Sequence, residues 1–236
     1  MTILLLVRHG RSTSNAAGTL AGRAPGVLLD ETGESQAMQV GERLRGVALD
    51  AAVCSPVERC RRTMDLALGS AGLGLTVRTD ERFTECNYGE WTGRKLSELA
   101  DEPLWATVQK TPSQVHFPGG ESMQQMAQRM VDGVQQTCRE LAAEAPEGTE
   151  PVWLLVSHGD PIKAVLSHAL GQQLDDFQRI VVDPASVSIV RYPGAEQSTP
   201  PLVLAMNTTA GQLRERLGQT APGPQLGGGL GSHSDA

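Results

Sequence analysis

The chain has 236 residues, of which 39% are apolar, 20% charged and only 3% aromatic, and its net charge is −7. That length suits one sizeable α/β domain, and the composition is that of a soluble globular protein with a mainly aliphatic interior. The acidic balance argues against nucleic acid as the main partner, because a phosphate backbone needs a basic face. A small anionic substrate stays open, since a few buried arginines can hold one.

In chain order, the first residues are apolar but run straight into Arg8-His9. The run is too short for a signal-peptide core or a membrane span, so a cytoplasmic protein without membrane association is expected. Residues 3–7, 51–54, 152–156 and 187–191 read as strands, with weaker candidates at 75–78 and 202–206. The runs at 3–7 and 152–156 are apolar throughout, as for strands covered on both faces.

Helices are expected at 33–46, 56–70, 96–110, 121–144 and 160–171. Thr32 offers an N-cap for the first, and Pro56 after Ser55 fits the first position of the second. Strand then helix, repeated, predicts a three-layer α/β/α fold with a mostly parallel central sheet. From Gln212 the chain turns to Gly, Pro and Ser with little to bury. Residues 1–211 therefore read as one domain and 212–236 as a disordered tail. Cys54, Cys60, Cys86 and Cys138 form no C-x-x-C pair or zinc-type spacing and read as free thiols.

Three segments put polar residues at the ends of expected strands, the edge where open α/β sheets bind ligands. In Arg8-His9-Gly10-Arg11-Ser12, His9 follows a buried strand and can act as a nucleophile if one ring nitrogen stays unprotonated. Arg8 offers a planar fork for phosphate oxygens, Gly10 a close backbone approach to a ligand, and Asn15 an amide donor. In Ser55-Pro56-Val57-Glu58-Arg59-Cys60-Arg61-Arg62-Thr63, Arg59 is best placed to turn to the strand ends. Arg62 shares roughly its helical face, and Arg61 faces solvent.

Val156-Ser157-His158-Gly159-Asp160 repeats the first pattern of strand, histidine, glycine and helix. Glu85, in a loop after an expected strand, is a carboxyl that partial burial would turn into a proton donor, with Glu90 as its competitor. His116, His168 and His233 are given no catalytic part.

Taken in order, LVRHGRSTSN (6–15), LDETGESQA (29–37), CSPVERCRRT (54–63), ECNYGEWTG (85–93), FPGGES (117–122) and VSHGDPI (156–162) resemble the histidine phosphatase superfamily. The similarity is to its phosphoglycerate-mutase-like branch and spans about residues 3–192. The resemblance implies that His9 becomes a phosphohistidine. It also implies that Arg8, Arg59 and His158 form the phosphate pocket with Asn15 as a further donor, and that Glu85 is the general acid. It implies no metal and no cofactor, a small phosphorylated metabolite as substrate, and a homodimer. Gly22 and Arg23 are possible substrate contacts, although solvent is the favoured surrounding for Arg23.

Departures from the mutases bear on the reaction. Ala21-Gly22-Arg23 stands where they carry Thr-Gly-Trp, no Arg-Arg pair lies between Tyr88 and Phe117, and Asp160 replaces an asparagine. The expectation is a phosphomonoester phosphatase. A phosphomutase and a non-catalytic phospho-ligand-binding protein are the alternatives.

Overall fold

The computed structural model describes residues 1–194, 199–210 and Gly227. Six strands form one sheet: β1 (Thr2–Arg8), β2 (Ala51–Cys54), β3 (Val77–Thr79), β4 (Val152–Ser157), β5 (Val187–Tyr192) and β6 (Leu202–Thr208). Their order is β3-β2-β4-β1-β5-β6. Parallel pairing joins β3, β2, β4 and β1, while β5 runs antiparallel to both β1 and β6. Between the strands lie α1 (Thr13–Ala16), α2 (Glu31–Leu44), α3 (Glu58–Ala71), α4 (Leu96–Leu99), α5 (Pro103–Lys110), α6 (Met123–Glu144) and α7 (Gly159–Ala169).

Side chains alternate across a strand, so an unbroken apolar run is stable only between two hydrocarbon layers. β1 meets that condition. Leu4 and Leu6 pack with Trp153, Leu155 and the α6 and α7 residues Met130, Val134, Ile162 and Val165. Leu5 and Val7 pack on the opposite face with Val40 and Leu44 of α2 and Met64 and Ala67 of α3. The result is the expected three-layer α/β/α sandwich. The scarce aromatics gather mostly in a third cluster beneath the loops, where Tyr88, Trp91 and Phe117 pack edge to face.

Several boundaries differ from the sequence expectation. Asp30, not Thr32, caps α2, its Oδ1 accepting from Gly33 N at 2.8 Å, so the helix begins at Glu31. Asp is among the stronger N-cap residues, and here it sits where the chain is still extended. Pro56 lies outside α3, which starts at Glu58 with no side-chain cap. The helix expected over 96–110 is two, α4 and α5, because Pro103 cannot continue a helix and instead opens the second one. Ser122 caps α6 in a reciprocal box with Gln125. The tail expected from 212 lies outside the described residues apart from Gly227.

Packing requires glycine at position 10. A Cβ there would stand 2.3 Å from the Gly33 oxygen, and one on Gly33 would stand 1.9 Å from the Arg11 oxygen. The turn after β1 and the first turn of α2 are thus locked backbone to backbone. Gly33→Ala should therefore destabilise by about 1–3 kcal/mol, although alanine is the better helix former. Urea denaturation reads this, and an unchanged or higher midpoint would contradict the close approach.

Candidate active site

The parallel register of β1 and β4 pairs Arg8 with Ser157. The next residue on each strand is a histidine, and His9 N donates to Ser157 O at 3.0 Å. The two imidazoles therefore emerge side by side at the same sheet edge, with ring centroids 5.3 Å apart and planes inclined at 68°. Both are buried.

Arg59, from the first turn of α3, ties the pair together. Its Nε donates to His9 Nε2 at 3.1 Å, and its Nη2 reaches His158 Nδ1 at 3.0 Å and Gly22 O at 2.7 Å. Nη1 is buried without a hydrogen-bond partner among the described residues. These contacts define the tautomers. His9 Nδ1 faces the Gly10 carbonyl at 2.7 Å, which only accepts, so the ring proton sits on Nδ1 and Nε2 keeps its lone pair. His158 Nδ1 accepts from Arg59, which leaves Nε2–H to donate to Ser55 Oγ at 2.8 Å. Burial, then the Arg59 charge, holds both histidines well below the usual imidazole range, so both are neutral at pH 7.

Arg8 is fully buried, with Nη1 donating to Val182 O at 2.7 Å and Nη2 to Gly227 O at 3.1 Å. Burial lowers its pKa to about 10, against the pull of Glu85, Asp183 and Asp160, and it remains a cation at neutral pH.

Glu85 is 3% exposed and its Oε1 accepts from Cys86 N at 2.8 Å. Burial, and then the Asp160 carboxylate, raise it from 4.5 to about 7; the Cys86 N–H, Arg59 and Arg8 pull the other way. The backbone beneath it is clamped. The Glu85 carbonyl accepts from Arg23 Nε at 2.7 Å and Arg129 Nη2 at 2.9 Å. Glu121 Oε1 in turn receives Arg23, Arg129 and the Asn87 amide. The loop pair needs glycine at 120, where a Cβ would stand 2.2 Å from Asn87 O. Glu90, the competing carboxyl, is exposed.

The structure thus brings His9, Arg8, Arg59, His158 and Glu85 into one cluster. Asn15 and Gly22 line the same pocket. Asn15 spends its Oδ1 on Ser12 N at 3.0 Å and Ser12 Oγ at 2.8 Å, capping α1, so Nδ2 is its remaining polar atom. Arg23 does not line the pocket; it is exposed, as the solvent reading expects, and is bound to Glu121 and the Glu85 carbonyl. Arg62 leaves the Arg59 face for Glu34 on the surface. Sequence reading missed Arg129 and Glu121, whose partners lie far away in sequence, and Asp160 and Tyr88, joined at 2.7 Å. His168 and His116 flank a separate groove along α6 and α7.

Residues 4–201 match the histidine phosphatase superfamily (branch 1), and the chain belongs to it. It is 36% identical over 195 residues to a "Probable phosphoglycerate mutase GpmB" of Erwinia tasmaniensis, covering 81% of this chain and 86% of that one. Among solved structures it resembles the mycobacterial glucosyl-3-phosphoglycerate phosphatase Rv2419c, at 25% identity, TM-score 0.74, and 88% and 99% coverage. It also resembles Bacillus stearothermophilus YhfR, at 26% identity, TM-score 0.75, and 86% and 96% coverage. Among the described residues, no helix is long and apolar enough to cross a membrane, and no His, Cys, Asp and Glu group is arranged to hold a metal ion.

The Arg59 fork contacts three acceptors that a lysine cannot reach together. Arg59→Lys should keep the fold but weaken orthovanadate binding by about tenfold or more, a loss of about 1.4 kcal/mol. Calorimetric titration measures this, and wild-type affinity in the variant would remove Arg59 from the anion site.

Proposed function

We propose that the protein is a phosphatase that hydrolyses a small phosphomonoester through a phosphohistidine on His9. The observation that carries this reading is the unprotonated His9 Nε2 held against the buried guanidinium of Arg59, with a second cation, Arg8, beside them. A neutral imidazole among buried cations is a nucleophile facing an anion seat.

In the first half-reaction His9 Nε2 attacks phosphorus in line. The N–P bond forms as the ester P–O bond breaks, and the departing oxygen takes the proton of Glu85. Arg59 transfers its Nε donor from His9 to a phosphoryl oxygen as the lone pair is spent. In the second half-reaction water gives a proton to the Glu85 carboxylate and attacks phosphorus. The N–P bond breaks and inorganic phosphate leaves. Positioning and charge stabilisation supply most of what phosphoryl transfer requires. With Arg8, Arg59 and the two histidines, this scheme needs no metal ion.

Hydrolysis is favoured over mutation by what surrounds the phosphate seat. Ser12, Thr19, Leu20, Ala21 and Leu96 line the pocket beyond it, all uncharged. The nearby arginines are already engaged: Arg11 with Asp30, Arg23 with Glu121 and Arg94 with Glu102, each at 2.7 Å. These three guanidinium groups are therefore not free to meet a substrate carboxylate, which a phosphoglycerate would bring. The mutase reading is supported by the name of the Erwinia relative. The four buried free thiols fit a reducing cytoplasm.

His9→Ala should abolish release of phosphate from p-nitrophenyl phosphate, with wild-type turnover persisting in a chelator. Full activity in the variant ends the phosphohistidine scheme. Isomerisation of phosphoglycerates, stimulated by a bisphosphate and faster than phosphate release, would select the mutase instead.

Glu85→Gln should cost an alkyl phosphate about 10²–10⁴-fold in kcat and p-nitrophenyl phosphate far less, because an activated leaving group needs little protonation. The raised Glu85 proton affinity sets the sign of the pH effect. Its acid form prevails below about pH 7, so kcat/KM for the alkyl ester falls as pH rises through that value. Equal losses on both esters would assign the proton to another group.

A further inference from the structure

On the reading that Glu85 is the general acid, it has an electrostatic problem. It stands beside Arg8 and Arg59, and both favour its ionised form. An acid must still hold its proton when the ester arrives. Burial opposes the cations in part, and one more group of the right sign lies within the cluster.

That group is Asp160, the second residue of α7 and fully buried. Its Oδ2 accepts the Tyr88 hydroxyl at 2.7 Å and the Gly227 amide at 3.0 Å, and its Oδ1 lies 3.6 Å from Lys163 Nζ. These neighbours are donors or cations, and the helix N-terminus adds to them, so the side chain sits among groups of positive partial or full charge. Tyr88, which holds it, lines the same pocket as Glu85. The two acids thus share Tyr88 and Arg8 as neighbours, and no reaction step proposed above uses Asp160.

We propose that Asp160 is a positioning residue for proton transfer: its carboxylate, fixed by Tyr88 and Lys163, keeps the proton on Glu85 until the leaving oxygen takes it. The same repulsion serves the second half-reaction. Once Glu85 is ionised it faces a like charge, which favours removal of the proton from the attacking water.

The groups that face Glu85 can be taken element by element. The end of β1 presents Arg8, α3 presents Arg59 and α7 presents Asp160. The acid's own loop presents the Cys86 N–H and the Tyr88 hydroxyl. Cys60 and Lys163 feel Glu85 from α3 and α7. Arg23 and Arg129 are bound to its main-chain oxygen. Of these, Asp160 is the carboxylate that raises its proton affinity, second only to burial.

The test uses full-length protein with Asp160→Asn and the charge-conserving Asp160→Glu. Carbon-13 NMR of glutamate-labelled protein follows the Glu85 carboxyl, assigned by its absence in Glu85→Gln. Its midpoint should fall by about one pH unit in Asp160→Asn and return in Asp160→Glu. In parallel, the alkaline limb of kcat/KM should move to lower pH by the same amount for an alkyl phosphate and stay in place for p-nitrophenyl phosphate. An unmoved midpoint in Asp160→Asn overturns the proposal, as does a limb that moves equally for both esters. If the wild type hydrolyses no ester, the phosphatase reading fails while the NMR titration still decides the coupling. Should the amide leave Lys163 stranded and the variant unfold, Asp160→Asn/Lys163→Met removes that cation and is read in the same way.

Discussion

The site depends on the register between β1 and β4. Because Arg8 pairs with Ser157, the residues that follow leave the sheet at one level, and both are histidines. A slip of one residue would turn every side chain of β1 to the opposite core, so the two hydrophobic layers that grip Leu4 to Val7 also fix where His9 emerges. The imidazole is aimed by packing that begins several residues away. Arg59 can then join both rings with one planar fork, as a lysine could not.

Charge is organised around that framework with little exposure to water. Arg8 and Arg59 are buried with the two histidines, Glu85, Asp160 and Lys163. Such a collection is costly unless its members are paired, and most of them are, through main-chain carbonyls and one another. Not every polar atom among the described residues is hydrogen-bonded, Asp160 Oδ1 being one that is not. Arg59 Nη1 is buried with no hydrogen-bond partner among the described residues. A buried cationic donor without an acceptor is a standing demand for an anion, and it lies on the same guanidinium that touches His9. Burial that would weaken an ordinary ion pair strengthens this site's pull on a phosphoryl group, because little solvent competes.

The sequence made the framework legible because its signals were local. Two apolar runs each ended in His-Gly, and a strand-turn-helix carried Arg59 in its first helical turn. Those patterns determine which strand ends carry chemistry. The misreadings arose where local signals compete or where the partner is distant. Thr32 and Asp30 are both capping residues, and only the extended backbone at Asp30 decides between them. Gly10 carries no mark of the Gly33 carbonyl it packs against. Arg23 is exposed, but the sequence carries no mark of its second part as a strut under Glu85, because Glu121 lies 98 residues along the chain. Arg129 was invisible for the same reason. Asp160 sat in plain view after His158-Gly159, but its meaning comes from Tyr88, 72 residues away.

The same division runs through the whole site. The two histidines, Arg8 and Arg59 stand on strand ends and one helix turn, elements fixed by the core. Glu85, the proposed acid, is carried on a loop whose backbone is held by the Arg23, Arg129 and Glu121 clamp rather than by the sheet. The walls that meet the rest of the substrate, from Thr19 to Gly22 and at Leu96, belong to connecting segments that the core does not dictate. Loops of this kind can change without disturbing the sheet. On the proposed phosphatase reading, it is these side chains, not the sheet, that meet the rest of the substrate. In this chain they are Thr19, Leu20, Ala21, Gly22 and Leu96, all uncharged.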